Sequence, residues 1–473
     1  MAPRETSADS GIDGQSSTRS QTAASGAPTA NVDVDPDPAT QAGAVADAVA
    51  DGPVEVTSAF SSLSIHSYRM LWWAGTFSFM AVQMQFLLRG ILAWDLTERE
   101  GALGLVYLFF GVSMLIATPL GGVAADRLPN RKVLMGSQVV LVAGATGMGV
   151  VVVADIAQLW MLIVAAVATG TAFGFYGPAR IAFAAKLVGR DQLGNAITLS
   201  MLSLNGTRVF APAFAGMLAG IAFFGIGGAY LVSAMFSILS LLFLMRCPEG
   251  EVVVSTSTSG PFTEIANGVR YVKADPPLRR LIISSFFVIM FGFNYVAFIP
   301  ALVKDVFELS DGFVGLLMSG SAVGAIAVSF LLARHADGPH ARRLMIISGV
   351  CFGGAVVALS VAPVFALAVL AVSFVGAGAA GYQSLSNTIA LAMTEDSHQG
   401  RVQSLLMLSF AGFGIAALPL GLLAEAIGLR YAMALMGIVA VTASMAYVLL
   451  ERAGSDAEID SRAAQPPGSL PAG

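Results

Sequence analysis

Charge is what this sequence has least of. Asp, Glu, Lys and Arg make up 12% of its 473 residues, about half the share found in soluble domains. Histidine occurs 4 times and cysteine 2 times. So little charge excludes a soluble enzyme, whose water-facing surface needs far more. It excludes a nucleic-acid binder for the same reason. Cys247 and Cys351 are too few for a disulfide-rich secreted domain and show no metal spacing. Both read as packing residues. There is no Gly-x-x-x-x-Gly-Lys-Ser/Thr loop to cradle a nucleotide's phosphates. No cofactor, metal or nucleic-acid partner is expected, and no enzyme activity.

What is present is apolar. Hydrophobic residues reach 56%, mean hydropathy is +0.76 and Gly numbers 51. Glycine at that level suits membrane helices that pack closely. The net charge of −5 is uneven: residues 1–55 hold nine acids and two bases, so the rest of the chain carries +2. Residues 1–58 have almost no large apolar side chains and cannot bury enough surface to fold, which predicts a disordered acidic tail. They lack the basic-then-apolar order of a signal peptide.

From Met70 onward, apolar runs follow one another at about the ~20 residues that cross a bilayer. Twelve are read: 70–94, 102–124, 133–154, 157–178, 194–222, 228–245, 281–302, 312–332, 344–363, 365–391, 402–424 and 430–450. Spans 9 and 10 are divided only at Ala362-Pro363, where the residue before proline resists helix. The loops after even-numbered spans carry 15 Lys and Arg, Arg180 and Lys186 among them. The other side carries 3, namely Arg99, Lys304 and Arg430. The positive-inside rule makes the basic loops and both termini cytoplasmic. The longest connection, 247–278, holds a Ser/Thr/Gly/Pro stretch and then an amphipathic segment from Phe262 to Lys273. It divides the chain into a tail 1–58, a six-helix bundle 59–246, a linker 247–278, a second six-helix bundle 279–452 and a disordered tail 453–473. The halves resemble repeats. Tyr176 and Tyr382, Gly194 and Gly400, Ser203 and Ser409, and Gly206 and Gly412 match at an offset of 206. Gly104 and Gly312, and Ser113 and Ser321, match at 208.

The loop between spans 2 and 3 runs from Gly122 through Asp126 and Arg127 to Arg131 and Lys132. Gly122 would let helix 2 approach a neighbour. Asp126 can accept charge-assisted hydrogen bonds or cap a helix N-terminus. Arg127 and Arg131 can bridge acids across the cytoplasmic face, a latch for one side. This loop resembles the Gly-x-x-x-Asp-Arg-x-Gly-Arg-Arg/Lys signature of the major facilitator superfamily, with Pro129 in place of the second Gly. The matching loop 8–9, Ala333 to Arg343, keeps bases but loses the Gly-x-x-x-Asp-Arg core. A longer stretch is similar to the enterobactin-exporter and macrolide-efflux branch. It comprises Tyr176-Gly-Pro178-Ala-Arg180, Gly194-Asn195-Ala196, and Arg208 through Pro212 to Gly216. The resemblance covers roughly 65–450. It implies an all-α integral membrane protein, twelve transmembrane helices in two six-helix bundles, and export of a small molecule. It also implies that Pro212 and Gly216 kink and seal a contact between helices 5 and 8.

Arg89 and Arg208 fall inside spans 1 and 5, where a central arginine costs ~2.5–3.5 kcal/mol on insertion scales. Each must meet a partner or a polar cavity, since Arg does not shed its proton. Arg89, with Gln83 and Gln85, is read as substrate-binding. Arg208 is read either so or as a structural bond to neighbouring helices. Asn205, Asn294, Tyr295, Tyr382, Gln383 and Asn387 are further candidate substrate contacts, with interhelical hydrogen bonding as the alternative. No Asp, Glu or His lies within a span, so cationic substrates have no acid to pair with. Coupling to a proton gradient stays open only through a boundary acid such as Asp95, Asp126 or Glu425. The expected partners are the lipid bilayer and a small-molecule substrate, in a monomer of the plasma membrane. A siderophore-like anion is preferred as cargo. A broad macrolide-type drug exporter, an uptake role and a non-transporting scaffold or sensor remain as alternatives.

Overall fold

The computed structural model describes residues 60–189, 192–249, 261–332, 340–395 and 399–463, apart from certain side chains within helices. The acidic tail 1–58, Arg190, Arg334, most of the Ser/Thr/Gly/Pro stretch and residues 464–473 lie outside the described residues. So do the side chains of Asn205 and Arg401.

Every element among the described residues is a helix. They are α1 (His66–Thr97), α2 (Glu100–Arg127), α3 (Asn130–Val153), α4 (Leu159–Val188), α5 (Leu193–Gly220), α6 (Gly225–Met245) and α7 (Pro261–Ala274). Then follow α8 (Pro276–Val306), α9 (Asp311–Leu332), α10 (Ala341–Ser360), α11 (Phe365–Ala392), α12 (Gln399–Ile427) and α13 (Leu429–Ala463). Ten of them are long and apolar enough to cross a membrane, among the described residues. Helix is the form that satisfies every backbone group internally in lipid. Many large apolar side chains are exposed, such as Phe330, Leu331, Val323 and Ile116.

The ends of the helices follow local chemistry. Asp275 caps α8 by accepting from the Leu278 N–H at 3.2 Å, with Pro276 just inside the first turn. The break at Ala362-Pro363 falls between α10 and α11. Two helices run further than the apolar runs suggest. α4 continues to Val188, so Arg180 and Lys186 are helical rather than loop residues. α13 remains helical to Ala463, beyond the expected limit at 452. Its last turns contain Ala453, Ala457 and Ala463 and no proline, so helix propensity carries it past the apolar part.

α8 is not a uniform helix. It widens into π turns at Val288–Gly292 and Leu302–Val306, with a break at Phe293 and Asn294. The Asn294 amide donates to the carbonyls of Met290, at 2.5 Å, and of Phe413 on α12, at 3.1 Å. It thereby occupies carbonyls at the point where the helical ladder is interrupted.

Interhelical packing is built on small residues, because lipid gives no hydrophobic drive to bring helices together. α2 packs on α4 through Gly121, Gly170 and Gly174, while α9 packs on α11 through Gly320, Gly324 and Gly376. A side chain at Gly170 would meet Phe110 and Ser113, and one at Gly376 would meet Ser321. Gly104 faces Ala417 and Leu418 of α12, while Gly312 faces Gly220 of α5. The pairs at offset 208 therefore occupy corresponding interhelical contacts. Tyr176 and Tyr382, at offset 206, are both fully buried.

Candidate functional site

α5 and α11 are joined by two of the singled-out residues. The Arg208 guanidinium, near the middle of α5, donates to Gln383 Oε1 at 2.5 Å. Both side chains are half-buried, as are Gln83 on α1 and Asn387 one turn beyond Gln383. The other candidates lie deeper. Asn294 is bonded to backbone on α8 and α12, as above. Tyr295 packs its ring against Phe352, 6.1 Å away. The Tyr382 hydroxyl sits 3.4 Å from both Ser284 Oγ and Ser285 Oγ of α8.

Arg89 and Gln85 form a separate group. They are 1% and 2% exposed. The Arg89 guanidinium lies over the Phe110 ring of α2, 5.0 Å from its centroid. Neither of its terminal nitrogens is hydrogen-bonded among the described residues. Arg89 is thus packed against α2 and α6, and no contact joins it to Arg208 among the described residues.

At the end bearing the basic loops, Arg342 pairs with Glu451 at 2.6 Å, but the expected latch is not formed among the described residues. Asp126 and Arg127 are exposed, and no hydrogen bond or ion pair joins either to a described residue. Gly122 faces open space, and the close approach expected of it is made one residue earlier. There Gly121 meets Gly174 and Phe175 of α4. Helical phase explains the shift, since neighbouring positions point about 100° apart. Arg131 does not reach across this face either. It caps α6, donating to the carbonyls of Leu244 at 3.2 Å and Met245 at 2.7 Å, and pairs with Glu249 at 3.6 Å.

The opposite end is closed by contacts distant in sequence. All three of its bases are used. Lys304 of α8 bonds Asp95 of α1, and Asp311 of α9 at 2.7 Å. Arg99 makes a two-point bond to Glu425 of α12, each arm 3.2 Å, and the Gly101 N–H donates to the same carboxylate at 3.0 Å. This bond raises the Arg99 pKa above its ordinary value. Arg430 caps α10 through the carbonyls of Ser360 and Ala362 at 3.0 and 2.9 Å. Behind the charges lies bare backbone. Gly216 and Gly220 of α5 abut Gly315 and Gly312 of α9, and Gly414 and Gly421 of α12 abut Gly111 and Gly101 of α2. Pro212 is buried one turn before Gly216. Phe86, Tyr107 and Phe413 fill the level beneath, with ring centroids 4.7 to 5.8 Å apart.

Sequence reasoning missed the roles of Lys304, Asp311 and Arg180. Asp95 and Glu425 stood out only as boundary acids. The available signal was the scarcity of charge itself, since two of the three bases at this end, Arg99 and Lys304, meet an acid. Arg180 was counted as a loop base. It is 6% exposed, with its guanidinium 4.7 Å from the centroid of Phe79.

Ten apolar spans, glycine-lined helix pairs and a polar link at mid-helix define a multi-pass membrane transporter of the major facilitator type. The chain belongs to the family of transmembrane secretion effectors (MFS_3), whose profile matches residues 57–470. Among curated proteins it is similar to the enterobactin exporter EntS of Salmonella typhimurium strain LT2. The two are 26% identical over 315 residues, 66% of this chain and 74% of that protein. EntS of Shigella flexneri is 25% identical over 66% of this chain and 73% of its own length. Among solved structures, the nucleoside transporter NupG aligns with TM-score 0.62 at 15% identity, over 81% of this chain and 98% of that one. A bacterial homolog of the human lysosomal transporter Spinster, in an inward-facing and unoccupied conformation, aligns with TM-score 0.64 at 16% identity. That alignment covers 82% of this chain and 96% of the homolog. These structural likenesses establish the fold.

Proposed function

We propose that this protein is a secondary transporter that exports a small amphipathic anion, of siderophore-like chemistry, by alternating access. In this reading the twelve helices α1–α6 and α8–α13 form two six-helix bundles, 59–246 and 279–452, joined by a cytoplasmic linker at 247–278. The basic end faces the cytoplasm of a plasma membrane. The seal at the other end, together with the unlatched Asp126 and Arg127, makes the described state inward-facing.

One observation carries the cargo assignment. Arg208 and Gln383, half-buried on α5 and α11, form the one bond described here between the two proposed bundles that lies near mid-span. A permanent cation there prefers an anionic or oxygen-rich molecule, and the Gln383 amide adds a donor once the link is broken. Gln83 on α1 and Asn387 one turn from Gln383 are half-buried polar candidates for the same cargo, and the scarcity of acids disfavours cationic cargo. The similarity to enterobactin exporters supports export. Tyr295, Tyr382 and Asn294, all buried, act in this reading as structural support behind the cargo site.

The test is untargeted mass spectrometry of cells and medium from a deletion strain and its parent, with iron scarce and plentiful. A metabolite retained by the deletion strain and missing from its medium identifies the cargo, and an anionic chelator under low iron supports the reading. No retained metabolite in either condition overturns it and turns attention to drug susceptibility. Cargo binding to the purified Arg208→Ala protein should then be about 10- to 100-fold weaker. That is the equivalent of one hydrogen bond to a charged group, ~1.5–3 kcal/mol.

A further inference from the structure

Among the described residues Arg89 is the largest fully buried side chain, and it has no carboxylate partner. Around it are donors without acceptors. Both terminal guanidinium nitrogens of Arg89, the Gln85 amide nitrogen and the Tyr230 hydroxyl are buried and unbonded among the described residues. Gln85 lies one turn before Arg89 on α1, and Tyr230 of α6 lies within electrostatic reach of the guanidinium. Tyr107 completes the wall but has committed its proton to the Phe86 carbonyl at 2.8 Å. The Phe110 ring closes the α2 side.

A buried guanidinium cannot escape its charge by losing a proton. Left bare at this depth it costs several kcal/mol. The ring face of Phe110 returns only ~0.5–2 kcal/mol of that. A water could accept from these donors, but only a compact acceptor of negative charge would also neutralise the guanidinium. We propose that this group binds a small inorganic anion of halide size, chloride being the abundant one, as a resident counter-ion. The ion neutralises Arg89 and ties α1 to α6. Burial argues against an organic cargo, because Arg89, Gln85 and Tyr230 are each 2% exposed or less. The site is therefore separate from Arg208, and its existence does not depend on what the protein transports.

The test uses the full chain in lipid nanodiscs. Its thermal unfolding midpoint is followed as chloride or bromide replaces gluconate at constant ionic strength. A ligand that binds only the folded state raises the midpoint with its concentration. The proposal expects a saturable rise with halide. Arg89→Met should remove it, and Tyr230→Phe should weaken the apparent halide affinity about tenfold, the size of one good hydrogen bond to a charge. Should Arg89→Met fail to fold, Tyr230→Phe alone decides. Bromide's anomalous scattering should peak within hydrogen-bonding distance of Arg89. Equal midpoints in halide and gluconate overturn the proposal. So does a halide effect unchanged in the variants that fold, or a bromide map with no peak at Arg89.

Discussion

At the scale of single residues, the informative groups are those whose surroundings contradict their chemistry. Cys247 is one. It follows the end of α6, 3% exposed, and burial pushes its thiol up to about 11 although Arg131 pulls the other way. The thiolate is the reactive form. In a Cys351→Ser background, maleimide should therefore leave Cys247 nearly unlabelled at neutral pH. Labelling should speed up about tenfold per pH unit towards 11. Fast labelling at pH 7, followed by mass spectrometry, would show that the helix end opens. Arg180 makes the matching point about legibility. A base beside an apolar run reads as a loop anchor, yet α4 carries it inward over Phe79. The aromatic partner lies about a hundred positions away and leaves no local trace. Arg89 and Arg208 were visible as anomalies for the converse reason, since each interrupts an otherwise apolar span. Their surroundings differ with helical phase: Arg208 is half-buried and bonded to Gln383, while Arg89 is fully buried over Phe110.

At the scale of elements, glycine decides where helices touch. The run lengths that give a bilayer span are plain in the sequence, and so is the proline break between α10 and α11. The partner of each glycine is not, because composition does not tell a packing glycine from an idle one. Gly121 and Gly122 differ only in direction. The contact of α5 with α9 is the sharpest case. A side chain at Gly216 would overlap the backbone of Gly315, which has no flexible end to move aside. Gly216→Val should therefore disfavour the sealed state by about 1–3 kcal/mol, the usual cost of overpacking. Spin labels at Phe223 and Glu308, on the turns beside this contact, should report a longer distance in the variant by double electron–electron resonance. An unchanged distribution would mean that α5 and α9 tolerate the added bulk where they stand.

At the scale of the whole molecule, the two ends are held by different means. The base-poor end joins α1 to α8 through Asp95 and Lys304, and the start of α2 to α12 through Arg99 and Glu425. These partners are 209 and 326 positions apart, which is why the sequence alone did not pair them. Both pairs are exposed enough to be screened by salt, and the Asp95–Lys304 pair is worth only ~0.2–1 kcal/mol. Asp95→Asn should raise the population opened at that end by no more than about fivefold, and less in high salt. Accessibility of an introduced cysteine at Leu103, 0% exposed here, would measure it. Asp126→Asn should behave differently. Asp126 is exposed and unbonded in the described state, so the variant should leave folding and cargo affinity alone. It should slow turnover severalfold in proteoliposomes if Asp126 latches the basic end when that end closes. Full turnover would remove it from the cycle.

The seal also bears on what does not pass. Where Gly216 and Gly220 meet Gly315 and Gly312, and where Gly104 and Gly421 meet the facing backbone of α12 and α2, main chain lies directly on main chain, too close to admit a file of water between the two helices. Ions and protons move through membranes along such files. If the protein waits for cargo with one mouth open, as proposed, it would drain the cell's membrane potential were its other mouth damp. In that reading, closing it with peptide backbone would keep the waiting protein electrically tight.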